Sequence, residues 1–286
     1  MPQFIKPFSK SKIKVFYSPF IYGYIDNFVP EEIYKKLEAS FPDPKQSDET
    51  EVFKRGKNRI AFVAPPLSDS IPKDSPWLDF VGQITSSAYM NDCLKWIEQT
   101  YVDFVVNNNN LYTKMIMSRF DIDKKELKMQ CEFSSLGTGT YLEPHTDAEN
   151  KFISCIYYLP NSKWQKNWGG ETECYKPKDP KYNSNWDNRH LPVNQMDILF
   201  NCEFRPNRLF FFVKAQNSWH GISPLMTPPG LQRRTFNFSI IAPHDVFRKA
   251  ASSDYQKQIS KQEAKIFNRG LFRSALRCFS HLLNPR

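Results

Sequence analysis

The apolar positions change period near residue 127. Before it they recur at helical spacing. Ile33, Leu37 and Phe41 follow Pro30-Glu31-Glu32, where a proline at the first position and acids in the first turn favour a helix start. Pro42 stops that helix. Residues 43–76 are largely polar and carry several prolines, which predicts mostly loop. From Trp77 to Val106 the set Phe80, Val81, Ile84, Ala88, Leu94, Ile97, Tyr101 and Phe104 predicts one or two helices packed outside a β core. From Leu127 onward short β-rich runs alternate, separated by Gly, Pro and Asn turns. The pattern predicts a mainly β fold with flanking helices. Three regions are expected: an N-terminal arm and helical scaffold over 1–126, a β core over 127–245, and a basic amphipathic helix over 246–286.

Composition narrows the class. The chain has 286 residues, 40% hydrophobic and 24% charged, enough for one large domain with a helical annex. Mean hydropathy is −0.57. No apolar run approaches the ~20 residues of a membrane span. Lysines at 6, 10, 12 and 14 precede an apolar stretch broken by Pro19 and Gly23, a poor signal peptide. Six cysteines stand without Cys-x-x-Cys pairs, which reads as reduced, buried thiols in a cytoplasmic protein.

The net charge of +9 is uneven. Residues 1–14 carry four lysines and no acid; residues 255–286 carry seven cations and one acid. The body between is nearly neutral. Basic ends suit an anionic partner: a membrane surface, a nucleic acid or an acidic substrate. The plainer alternative is a pair of solvated tails.

The candidate chemistry begins at Pro144-His145-Thr146-Asp147. On a strand, residues two apart share one face, so His145 and Asp147 could reach one metal ion. A lone His-x-Asp is a weak signal. His220 follows in Ser218-Trp219-His220-Gly221, and Arg233-Arg234 opens the strand-like Thr235-Phe236-Asn237-Phe238-Ser239-Ile240. Two histidines and one carboxylate form a facial triad with open positions for iron(II). His190, His244 and His281 fall outside this pattern and read as surface or loop residues.

At these residues the sequence resembles the Fe(II)/2-oxoglutarate dioxygenases of the prolyl-hydroxylase-like branch. The resemblance runs from about residue 128 to 242. It is carried by Gly137-Thr138-Gly139-Thr140-Tyr141, Cys155-Ile156-Tyr157-Tyr158-Leu159, Trp168-Gly169-Gly170-Glu171, Asn207-Arg208-Leu209-Phe210-Phe211-Phe212 and Trp219-His220-Gly221. It implies a double-stranded β-helix (jelly roll), with His145, Asp147 and His220 as metal ligands. The implied cofactors are Fe(II), 2-oxoglutarate and O2, with ascorbate stimulatory. A carboxylate at 147 implies hydroxylation, since relatives that halogenate have a small residue there.

The far carboxylate of 2-oxoglutarate needs a buried cation, a task for arginine's planar fork. Adjacent strand residues face opposite ways, so only one of Arg233 and Arg234 can serve. If Arg233 faces inward, so do Thr235, Asn237 and Ser239, with Thr235 and Asn237 joining the 2-oxoglutarate site, while Phe236 and Phe238 meet the helices. That arrangement is physically better and also gives Arg-x-Thr, similar to the Arg-x-Ser of many relatives. Arg233 lies further from His220 than in many relatives, a difference that Met226–Gly230 can absorb. Tyr158 is carried over as a hydroxyl donor to the same carboxylate.

Substrate is less legible. Nucleic-acid demethylases of the AlkB type carry a second arginine where this chain has Ser239 and Ile240, which disfavours a nucleic acid. Residues 161–207 hold Trp164, Trp168, Tyr182 and Trp186, a rim suited to a sugar or peptide. In the tail, Phe267, Leu271, Ala275, Cys278, Phe279 and Leu282 segregate from Arg269, Arg273, Arg277 and His281, as on a helix lying on an anionic membrane. These features are similar to those of lipopolysaccharide Kdo 3-hydroxylases, which are peripheral at the inner membrane and act on the acidic sugar of lipid A. A protein (prolyl-type) hydroxylase and a non-catalytic cupin-like metal-binding protein are the alternatives. Oligomeric state is not legible.

Overall fold

The computed structural model describes residues 3–42, 50–53, 57–64, 71–108, 123–183, 185 and 188–243. The expected C-terminal helix and the rest of 246–286 lie outside them. Twelve strands form two antiparallel sheets. The major sheet contains β1 (Ile13–Phe16), β2 (Tyr22–Asp26), β3 (Thr50–Phe53), β4 (Lys57–Ala64), β5 (Lys128–Leu136), β7 (Lys151–Tyr158), β10 (Arg208–Val213) and β12 (Arg233–Ile241), in the order β1-β2-β10-β7-β12-β5-β4-β3. The minor sheet contains β6 (Leu142–His145), β8 (Thr172–Pro177), β9 (Met196–Cys202) and β11 (His220–Ile222), in the order β6-β11-β8-β9. Non-sequential neighbours within two facing antiparallel sheets are the jelly-roll arrangement.

Within 43–76, expected to be mostly loop, the strands β3 and β4 lie, and β4 pairs with β5 over eight positions. The continuous apolar run Ile60-Ala61-Phe62-Val63-Ala64 carried that signal, diluted by polar flanks. The segment 1–126 is also more than an arm and a scaffold. Its strands extend the major sheet at both edges.

Strand β12 divides the molecule. It lies between β7 and β5, with Phe236 opposite Phe133 and Tyr157. These residues face the helices α1 (Glu31–Ala39), α2 (Pro76–Ile84) and α3 (Ser87–Asn108). Helix α2 starts where the Ser75 hydroxyl accepts from Trp77 N at 3.3 Å and Pro76 occupies the first turn. Its Trp77, Phe80, Val81 and Ile84 are all buried, the i, i+3, i+4, i+7 stripe of an amphipathic helix. Trp77 packs edge-on against Phe133 at 4.7 Å, and Phe80 stacks on Tyr157 at 5.5 Å. The apolar core sits between this sheet face and the helices. The opposite face of β12 looks into the space between the sheets.

The turn before β10 fastens the N-terminal segment to the sheet. Asn207 adopts φ 55, a left-handed conformation that asparagine tolerates. Its Oδ1 accepts from Val29 N at 3.1 Å and Tyr157 Oη at 3.0 Å, and its Nδ2 donates to Val29 O at 2.8 Å. Arg208 forms a two-pronged pair with Asp26 at 2.7 and 3.0 Å. Replacing Asn207 by alanine removes three buried hydrogen bonds and disfavours the backbone. We expect Asn207→Ala to lower unfolding free energy by about 3 kcal/mol in denaturant titration, with a smaller loss for Asn207→Asp. A change below about 0.5 kcal/mol for Asn207→Ala would show that the clamp is dispensable.

Candidate active site

His145 ends β6 and His220 begins β11, and the two are register partners across the minor sheet. Asp147 lies past the strand end, which corrects the one-face reading of His-x-Asp. The chain turns at Asp147 with φ 67, and this turn, not the pleat, brings the carboxylate back beside the histidines. One ligand atom from each of the three lies within 4.8 Å of the others. His145 Nε2 is 3.4 Å from Asp147 Oδ1, and His220 Nε2 is 4.0 Å from Asp147 Oδ2.

The donor set fits a divalent metal. Nδ1 of His145 meets Glu143 O at 2.9 Å, and Nδ1 of His220 meets Ser218 O at 2.9 Å. A carbonyl only accepts, so each Nδ1 carries the proton and each Nε2 keeps its lone pair. Burial and then His145 push His220 down to about 3, which keeps the imidazole neutral. Burial alone would raise Asp147, but the Lys151 ammonium beside it leads the opposing causes and holds it well below the usual carboxylate range. A neutral His220 and an ionised carboxylate are protonation states that ligation requires.

Lys214 holds the turn. It is fully buried, and its Nζ donates to Thr146 O at 2.7 Å and Asp147 O at 2.8 Å. Ser218 Oγ, two residues before His220, also bonds Thr146 O at 3.3 Å. Asp147 Oδ2 accepts from Ser154 Oγ at 2.8 Å and Lys151 Nζ at 3.1 Å. No sequence signal marks Lys214, because its partners are backbone carbonyls of a turn distant in sequence.

A cavity of about 450 Å³ contains the triad. Arg233, Thr235, Asn237 and Ser239 line it from β12. Arg234 faces the other way, pairs with Glu38 and covers the Phe41 ring at 5.3 Å. Arg233 is 1% exposed. It donates to Gly170 O at 2.6 Å and Thr172 Oγ1 at 3.2 Å, and no carboxylate among the described residues forms an ion pair with it. Burial pulls it below the ordinary arginine value. Thr235 Oγ1 is buried beside it without a partner. A buried guanidinium and an unsatisfied hydroxyl on a cavity wall fit an anion supplied from outside.

Tyr158 differs from expectation. It does not line the cavity but donates to Thr172 Oγ1 at 2.6 Å behind it. Thr172 accepts from both Tyr158 and Arg233 and so ties the two together. The sequence marked Thr172 only by its following Trp168-Gly169-Gly170-Glu171. Gly170, at φ 81, lets the chain pass Arg233: a Cβ there would sit 2.7 Å from Leu225 and 3.1 Å from Arg233. Trp164 and Trp168 pack against each other, with Trp164 on Phe204, and do not rim the cavity. Tyr182 joins a separate cluster with Tyr175 and Trp219. Trp186 lies outside the described residues. His190 is exposed and in a loop, as read, and it also borders the cavity, where it stacks on His145 at 4.7 Å. His244 and His281 lie outside the described residues, as does Cys278. The other five cysteines are buried and free.

A jelly roll with a His–carboxylate–His cluster and a buried cation in one cavity defines a non-haem metal oxygenase scaffold. Residues 131–240 match the family model described as the 2OG-Fe(II) oxygenase superfamily. The match spans the cavity-lining strands from β5 to β12, and with the His145–Asp147–His220 cluster it supports a dioxygenase that uses Fe(II), 2-oxoglutarate and O2. Among solved structures, the chain is similar to a prolyl-4-hydroxylase from Pseudomonas putida, with 14% identity over 78% of this chain and 92% of that one, TM-score 0.41. It is similar to a prolyl hydroxylase from Trichoplax adhaerens in complex with a hypoxia inducible factor peptide, with 11% identity over 81% and 87%, TM-score 0.46. It is also similar to a 2OG-Fe(II) oxygenase family oxidoreductase from Burkholderia pseudomallei, with 10% identity over 75% and 80%, TM-score 0.40. No curated protein matches the sequence.

Two measurements test this geometry. Lys214→Met should weaken Co(II) binding to the metal-free protein by about 10–100-fold in chelator competition, the usual effect of a residue that orients metal ligands. Unchanged affinity in a variant that melts like the wild type would remove Lys214 from the site. Arg233→Met should raise the Kd for 2-oxoglutarate about a hundredfold or more, since a buried charge pair loses one partner. Arg234→Met should leave that Kd nearly unchanged and lower stability through Glu38 and Phe41. The reverse ranking would place the inner face of β12 one residue off.

Proposed function

We propose that His145, Asp147 and His220 hold the iron and that Arg233, with Thr172 and Thr235, holds the distal carboxylate of 2-oxoglutarate. The reading rests on one observation above others: a buried arginine on the wall of the triad's own cavity, with no acid partner among the described residues. Bound there, iron(II) supplies the oxidant by activating O2 while 2-oxoglutarate is converted to succinate and CO2. The chain's residues then have separable tasks. Lys214 fixes the turn at Asp147. Lys151 and Ser154 occupy Asp147 Oδ2, which leaves Oδ1 for the metal. Thr172 and Arg233 orient the cosubstrate. With a carboxylate at 147, no metal position is left vacant for a halide, so the outcome is hydroxylation.

The proposed substrate is the Kdo sugar of lipid A, met by a peripheral enzyme on the cytoplasmic side of the inner membrane. Two features support it: the basic ends and the polar cavity wall with Gln130, Asn188 and Ser239. Among the described residues no helix is long and apolar enough to cross a membrane. The expected result is Fe(II)- and O2-dependent succinate release on Kdo–lipid A vesicles, with a mass gain of one oxygen atom in the sugar. His145→Ala, Asp147→Ala and His220→Ala should each abolish it while the protein stays folded. Wild-type succinate release in any of these purified variants would exclude that residue as a ligand. Oxygen insertion into added protein, and none into Kdo, would replace the sugar reading with the protein-hydroxylase one. Metal binding without any succinate release would favour the non-catalytic alternative.

A further inference from the structure

Ser154, Ser239 and Gln130 form one row across the inner face of the major sheet. Ser239 on β12 pairs with Ser154 of β7 on one side and with Gln130 of β5 on the other. The row starts at the metal site, because Ser154 Oγ donates to Asp147 Oδ2 at 2.8 Å. Ser239 Oγ in turn donates to Ser154 Oγ at 3.3 Å. Both serines are buried, and both hydroxyl protons are spent on the way to the carboxylate. Neighbouring strands lie about 4.8 Å apart, so Gln130 stands roughly 10 Å across the sheet from Ser154.

Other polar side chains of this wall are also committed. Lys151 Nζ donates to Asp147 Oδ2 at 3.1 Å, and Asn237 Nδ2 donates to Glu132 Oε1 at 3.0 Å. Arg233 is held by Gly170 O and Thr172 Oγ1. Gln130 differs from all of these. It lines the cavity, and its side chain is part-exposed. Its strand is enclosed by β4 and β12, and the other face of that strand, with Met129, Cys131 and Phe133, is buried in the core. The exposed part of Gln130 therefore opens toward the cavity. Among the described residues its amide has no hydrogen-bond partner.

A glutamine amide sets an acceptor and two donor hydrogens side by side in one plane and carries no charge. A carboxylate placed there would leave Oε1 facing another acceptor, and an ammonium would leave the Nε2 hydrogens unused. We propose that Gln130 is a specificity-determining residue, which bonds a neutral substrate group that both gives and takes hydrogen bonds, a hydroxyl or an amide. It holds that group across the sheet from Asp147 and so fixes which substrate carbon faces the metal. The proposal rests on the oxygenase reading of the cavity and names the residue that reads what enters it.

The probes are Kdo, its singly deoxygenated analogues and N-acetylprolinamide, added to protein loaded with Mn(II) and 2-oxoglutarate. Paramagnetic broadening of probe protons reports binding beside the metal. Calorimetry reports 2-oxoglutarate affinity separately and shows that the variant keeps a formed site. Gln130→Leu should weaken Kdo binding about tenfold, one hydrogen bond's worth, and move the 2-oxoglutarate Kd by no more than about twofold. One deoxy analogue should bind the wild type about tenfold more weakly than Kdo does, and lose nothing further in Gln130→Leu, because one bond is not removed twice. Losses that add for every analogue would show that Gln130 acts through the fold and not on a substrate group, which overturns the proposal. Unchanged Kdo affinity in Gln130→Leu, or an about tenfold loss of 2-oxoglutarate affinity, would overturn it too. Broadening of N-acetylprolinamide alone, weakened about tenfold by Gln130→Leu, would keep Gln130 as the reader of an amide and remove the Kdo substrate. Broadening of no probe in protein that binds 2-oxoglutarate would overturn the proposal and leave the oxygenase reading standing. Failure of the wild type to bind Mn(II) or 2-oxoglutarate would remove both together.

Discussion

The alternation of side chains along β12 is the constraint on which the rest depends. One face of this strand carries Phe236 and Phe238 into the aromatic core under α2 and α3. The other carries Arg233, Thr235, Asn237 and Ser239 into the cavity. A slip of one residue would press a guanidinium and an amide onto Trp77 and Phe80 and put phenyl rings beside the metal ligands. Burying those polar groups without partners costs several kcal/mol each, so the register is set by the core as much as by the site. Stability and chemistry are thus two sides of one strand.

The site buries two cations, Lys214 and Arg233. Lys214 donates to backbone carbonyls that also fix a left-handed turn at Asp147. Arg233 is met by the Gly170 carbonyl, the Thr172 hydroxyl and the rings of Tyr158 and Phe204. An incoming dicarboxylate completes that set, and its binding is favoured because the cost of desolvating the guanidinium is already met in the folded protein.

Much of this was legible in the chain. The change from helical to strand period near residue 127, the amphipathic stripe of α2 and the inward set on β12 are local patterns, and local patterns survive without tertiary context. The choice of Arg233 over Arg234 came from setting Phe236 and Phe238 against the helices, with the relatives' Arg-x-Ser pattern beside it. The spacing of His145, Asp147 and His220 pointed to one metal centre. Strands β3 and β4 were obscured because each is decided by its neighbour in the sheet, β4 by the long β5 and the edge strand β3 by β4.

The sequence by itself determined the fold class, the ligand types and the inward face of β12, because each depends on periodicity or on the identity of a few residues. Only the tertiary structure decided how those residues meet. It placed Asp147 in a turn beyond its strand, set Lys214 under that turn, moved Tyr158 behind Thr172 and brought His190 onto His145. It also drew Trp164 and Trp168 away from the cavity they were expected to rim. The physical reason is common to all of these. Each depends on a hydrogen bond or ring contact between segments far apart in the chain, and such a contact exists only once the two sheets have closed on one another.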